Sequence, residues 1–147
     1  MRWAMVRQNW QGSDVVMSIL NYCRQPLCIA FSAFFGFILW IIYEADTGAN
    51  NIFLYLVDLI PFGDKLGHIW LYGGLALLLN LLLNRKIMTI KSIRFQLGSV
   101  LVLGFAVVEE LSQGLFTTRH LDGWDLVADL LGVYIAALLV MHKKGAH

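Results

Sequence analysis

The chain has 147 residues, 59% hydrophobic and 14% charged, with a formal net charge of +1. A mean hydropathy of +0.67 is too apolar for a water-soluble core of this size. The near-neutral charge excludes a general attraction to nucleic acid, so the composition indicates one domain of an integral membrane protein.

Residues 1–26 are polar with spaced aromatics. Trp3, Val6 and Trp10 share one helical face beside Arg2 and Arg7, which predicts a cytoplasmic or interfacial segment with tryptophan at headgroup depth. No continuous apolar run ends in a small-residue cleavage site here, so no cleaved leader is expected. Cys23 and Cys28 read as reduced, apolar residues. With no further cysteine and no histidine nearby, they make no zinc signature.

A first span is expected over 27–43, uncharged and ending in Trp40 and Tyr43. The loop after it is polar at Glu44 and Asp46 and apolar again at 52–60, which is too short to cross. Pro61-Phe62-Gly63 then breaks it, so 50–59 reads as a short interfacial or re-entrant helix. The second span is expected over 66–83, with Gly67, Gly73 and Gly74 permitting close helix contact. A basic link holds Arg85, Lys86, Lys91 and Arg94. The third and fourth spans are expected over 95–115 and 124–141. Trp40, Trp70 and Trp124 read as interface anchors.

The expected fold is therefore all-α: a polytopic four-helix transmembrane bundle over 27–142, with a cytoplasmic tail at 143–147. Arg2, Arg7, Arg24, Arg85, Lys86, Lys91, Arg94, Lys143 and Lys144 fall on one side, nine of the eleven basic residues. The positive-inside rule makes that side cytoplasmic, so both termini are in. Only Lys65 and Arg119 remain outside, with nine of the ten acids at or near the outer lip. Repulsion on that scale calls for protonation, pairing or a bound cation.

Helical spacing sorts the polar residues. Asp64, His68 and Tyr72 recur every fourth residue on one face of the second span. Glu109 and Gln113 lie a turn apart on the third span, with Glu110 between them. Asp122, Asp125 and Asp129 form one stripe on the fourth, Asp129 deepest. Adjacent residues point about 100° apart on a helix, so one of Glu109 and Glu110 is expected to face the site and the other the outer interface or a partner. Glu110 is taken as the inward one. A charged face turned to lipid is costly, at roughly 2.5–3.5 kcal/mol per residue, so the stripes should converge.

Asp64-Lys65-x-x-His68-x-x-x-Tyr72, Glu110-x-x-Gln113, Arg119, Asp125 and Asp129-x-x-Gly132, in this order and in these spans, resemble the VanZ-like family of small bacterial membrane proteins. The likeness covers about 58–140. The family pattern has asparagine where this chain has Asp129. The family takes its name from an accessory protein that lowers susceptibility to the glycopeptide teicoplanin. The resemblance implies a multi-pass protein of the bacterial cytoplasmic membrane in a cell-envelope, antibiotic-resistance-like context, and it implies no particular reaction.

Three functional classes follow. In the leading one an outward-facing pocket binds or processes a phosphate-bearing lipid or lipid-linked glycan. Lys65 and Arg119 hold the phosphate, one as a point charge and one through a planar fork. Asp64, Tyr72, Gln113 and Asp129 complete the binding surface. His68, Glu110 and Asp125 are the candidate acid–base groups, since histidine titrates near neutrality. No cofactor is evident; a divalent cation on oxygen and imidazole ligands is the exception to weigh, with no short metal motif behind it. The second class is a proton-linked transporter using Asp129 and Glu110. The third is a non-catalytic scaffold or partner subunit whose polar cluster locks the helices. Membrane lipids, a second copy of the chain or another membrane subunit are the expected partners, and nucleic acid is not.

Overall fold

The computed structural model describes residues 11–48, 51–116 and 121–142. The expected surface residues Arg2, Trp3, Val6, Arg7 and Trp10, the cation Arg119 and the tail 143–147 lie outside them. The elements run α1 (Gln11–Thr47), α2 (Ile52–Asp58), α3 (Gly63–Leu82), β1 (Ile87–Ile90), β2 (Ile93–Gln96), α4 (Leu97–Gln113) and α5 (Gly123–His142). The chain is mostly helical, as expected.

Three helices are long and apolar enough to cross a membrane by length and composition: Arg24–Thr47 of α1, α3 and α5. The first of them continues backward to Gln11, through Pro26 and past the boundary expected there. Cys28 is free and exposed.

The region expected as a bare basic link forms a β-hairpin, the one departure from an all-α fold among the described residues. Ile87 pairs with Gln96 and Ile90 with Ile93 across a two-residue turn at Lys91 and Ser92. Both turn residues have positive φ, 45° and 73°, the hand that matches the twist of a tight hairpin. The strand takes residues 95–96 from the expected third span. α4 keeps 17 residues, about 25 Å at 1.5 Å each, against an apolar thickness of roughly 30 Å.

α3 and α5 run side by side in the same direction, and α4 runs antiparallel to both. Lys65 meets Asp125 near the start of α3, and Gly73 meets Gly132 halfway down. On the other flank Tyr72 meets Glu109 and Asn80 meets Ser99. The core between them is Ile38, Tyr72, Leu75, Ala76, Val102, Ala106, Val133 and Ala136.

Glycine sets the α3–α5 spacing. A Cβ on Gly73 would lie 2.9 Å from the Gly132 carbonyl oxygen, and one on Gly132 would run into the Ile69 carbonyl. Gly74 abuts the Phe34 ring, whereas Gly67 has nothing within 4 Å and is not a packing glycine.

The two ends of the bundle differ in charge. Arg24 donates to the Leu82 carbonyl at 3.0 Å, bringing α1 to the end of α3 that carries Arg85, Lys86 and Arg94. The carboxylates Asp64, Glu109, Glu110 and Asp125 collect at the opposite end.

Candidate functional site

Three helix ends build the polar centre. α3 begins after the Pro61-Phe62-Gly63 break, and Gly63 fits against the Val57 carbonyl where a Cβ would collide. That sharp entry puts Asp64 and Lys65 in the first turn of α3. α4 ends at Glu109–Gln113, and α5 starts just after Asp122.

Lys65 is the hub. Its Nζ donates to Asp122 Oδ2 at 2.5 Å, to Asp64 Oδ2 at 3.3 Å and to Asp125 Oδ1. The ammonium beside Asp122 holds that carboxyl below the usual carboxylate range, helped by the Trp124 amide donating to it at 2.9 Å. Asp64 is exposed and Asp125 buried, so the lysine spans the lip from outside to inside.

His68 lies one turn deeper. Its Nδ1 is 2.9 Å from Asp129 Oδ1, while Nε2 is 3.8 Å from Asp125 Oδ2 and 4.0 Å from Asp64 Oδ1. The ring stacks on Tyr72 at 5.7 Å with planes 6° apart. Donor atoms of Asp64, His68 and Asp125 all lie within 4.8 Å of one another, an arrangement able to hold a metal ion.

A second branch ties α4 to its neighbours. The Tyr72 hydroxyl donates to Glu109 Oε2 at 3.2 Å, and Gln113 Nε2 donates to Glu109 Oε1 at 2.9 Å. The Asp122 amide donates to Glu110 Oε1 at 2.6 Å. Glu109 and Glu110 are therefore both buried, and the expectation that one faces outward is corrected. α4 is flanked on both sides: Glu109 reaches α3 while Glu110 reaches the entry to α5.

Lys65, His68, Tyr72, Glu110, Gln113, Asp125 and Asp129 thus converge, with Asp64 at the exposed rim. Tyr72 and Gln113, expected to contact a ligand, are 3% and 1% exposed, and each binds Glu109. Asp122 completes the Lys65 cage. Sequence reasoning placed it on the α5 stripe without giving it a site role. Arg119 lies outside the described residues.

Six carboxylates crowd this end, at 64, 109, 110, 122, 125 and 129, with Lys65 and His68 as the basic groups among the described residues. Glu110 Oε2 and Asp129 Oδ2 are buried with no hydrogen-bond partner there. Desolvated carboxylate oxygens are costly without a proton or a positive charge. A cavity of about 80 Å³ opens on the centre, lined by Asp64, Gly67, His68, Tyr72 and Glu109 with the apolar residues of α1 and α2.

Compared with known proteins, the chain matches no family model, no curated protein and no solved structure.

Proposed function

We propose that the chain is a multi-pass protein of the bacterial cytoplasmic membrane, akin to the VanZ-like family, whose outward polar centre engages the phosphate of a lipid or lipid-linked glycan. α4 serves as the fourth span, and both termini are cytoplasmic. Lys65 carries this reading. It is partly exposed, and two of its three carboxylate partners are on the surface, where ion pairs are weak and exchange readily. An arriving phosphate can take the places of Asp64 and Asp122 while Asp125 keeps the ammonium in position.

Two dimensions narrow the ligand. The cavity of about 80 Å³ is lined by Asp64 and His68 but not by Lys65; it takes an ion or a few waters but no sugar ring, so a phosphate would meet Lys65 at the exposed lip beside it. A glycan would stay outside. An apolar groove of about 360 Å³ between α3 and α5, lined by Ile69, Trp70, Leu77, Ile135 and Leu139, suits an acyl or prenyl chain. If the ligand is processed as well as bound, His68, Asp125 and Glu110 are the groups to move the proton.

The experiment is binding of a polyprenyl phosphate and of glycerophospholipids to the protein in nanodiscs. Lys65→Met and Arg119→Ala should each weaken phosphate-dependent binding about tenfold, the loss of one charge-assisted contact. Binding that ignores both substitutions overturns the reading. A reporter fused after Lys144 should be active only in its cytoplasmic form; activity outside reverses the topology.

One observation favours proton-linked transport as a second reading. Asp129, His68, Asp125, Lys65 and Asp122 form a file of titratable groups from the buried interior to the surface. Liposome flux driven by a pH gradient should then fall in Asp129→Asn; unchanged flux removes that role.

A further inference from the structure

The contacts within the Asp64–His68–Asp125 triad are the wrong length for hydrogen bonds. His68 Nε2 is 3.8 Å from Asp125 Oδ2 and 4.0 Å from Asp64 Oδ1, whereas N–H···O bonds close at about 2.7–3.2 Å. They are the right length for two ligands of one ion. Bonds of about 2.0–2.2 Å separate ligand atoms by about 3.4 Å at a tetrahedral angle and about 4.2 Å when opposed.

His68 is also oriented as a ligand from behind. With Asp129 ionised, its Oδ1, at 2.9 Å, accepts from Nδ1–H and leaves Nε2 unprotonated. The Nε2 lone pair then faces Asp64 and Asp125. Histidines that bind metal usually donate the other ring N–H to a carboxylate or carbonyl in this way. Asp129 is 1% exposed, and its Oδ2 is without a partner among the described residues, as is the buried Glu110 Oε2. Each belongs to a carboxylate whose other oxygen is already engaged at this centre. Lys65 takes Asp125 Oδ1 and leaves Oδ2 toward the histidine.

We propose that Asp64 Oδ1, His68 Nε2 and Asp125 Oδ2 form a site for one divalent transition-metal cation, with His68 positioned by Asp129. One imidazole and two carboxylates suit an ion of the Zn²⁺ class better than Mg²⁺ or Ca²⁺, which prefer all-oxygen shells. Three protein ligands leave a coordination position open, and two of them, Asp64 and His68, line the cavity. A phosphate oxygen would fit it, yet the ion site does not depend on that ligand.

The test uses Zn²⁺ alone on the full chain in detergent, stripped with a chelator and titrated against a chromophoric competitor. Wild type should take one ion per chain. Asp64→Asn should weaken binding at least tenfold and His68→Gln should abolish it, while Asp129→Asn, which keeps the hydrogen bond but removes the charge behind the imidazole, should cost about 10–100-fold through lost ligand basicity. Asp64 is exposed, so its variant keeps the fold, which gel filtration verifies. The remaining histidines are His120, His142 and His147; replacing all three by alanine should leave the site intact. Absence of a one-to-one complex, affinity indifferent to Asp64→Asn and His68→Gln, or loss of binding in the triple variant overturns the proposal. Because no lipid is present, failure of the headgroup reading leaves these outcomes untouched.

Discussion

Asn80 on α3 caps α4. Its Oδ1 accepts the Ser99 amide at 3.1 Å and its Nδ2 donates to Ser99 Oγ at 2.8 Å, both groups buried. The first turn of a helix has amides without intrahelical partners. Gln96, the residue at the cap position of α4, makes no side-chain cap bond; a neighbouring helix supplies it. Asn80→Ala should therefore destabilise the protein by about 1–3 kcal/mol, the cost of a buried donor left unmet. Thermal melting in detergent reads this.

Gly132 tests the crossing of α3 and α5. Its Cβ would meet the Ile69 backbone, which cannot swing aside like a side chain. Gly132→Ala should cost about 1–3 kcal/mol, as overpacking does. Gly67→Ala, with open space around it, should not lower the melting temperature.

Asp129 separates charge from shape. Asparagine keeps an oxygen for His68 Nδ1 and removes a buried carboxylate with one unmet oxygen. Asp129→Asn should melt no lower than wild type. Asp129→Leu strands the histidine donor and should cost about 1–3 kcal/mol. A melt in which both behave alike would refute a hydrogen-bonding role for Asp129.

The Lys65–Asp122 pair gives a pH signature. The Asp122 carboxyl is held below its ordinary value, chiefly by the hydrogen bond from Lys65. Its folded state thus binds the proton less readily than its unfolded state, so the stabilisation is present above the ordinary carboxylate range near about pH 4 and is lost as acid passes below it. The melting-temperature gap between wild type and Asp122→Asn should hold through neutral pH and close only in strong acid. A gap that widens on acidification would contradict the pairing.

The polar centre was legible because helices repeat. Asp64, His68 and Tyr72, and Asp122, Asp125 and Asp129, announce their shared faces at 3.6 residues per turn, and apolar surroundings leave such stripes nowhere to go but together. The hairpin was not legible. Its turn uses Lys91 and Ser92 where a tight turn usually advertises itself with Asn-Gly or Asp-Gly, and its basic residues already had a topological explanation. Glu109 was misjudged because spacing tells how far apart two neighbours point but not how many helices stand around them. Asn80, in a run of leucines, carried no signal at all: its meaning lies in an amide nineteen residues later.

That last pairing bears on assembly. α3 emerges from the ribosome before α4, so the acceptor for the Ser99 amide is already made when the amide appears. The end of α3 becomes the template on which α4 is started, and a chain that docked α4 elsewhere would bury an unmet backbone group. Order of synthesis and fidelity of partner choice are thereby coupled through a single carboxamide.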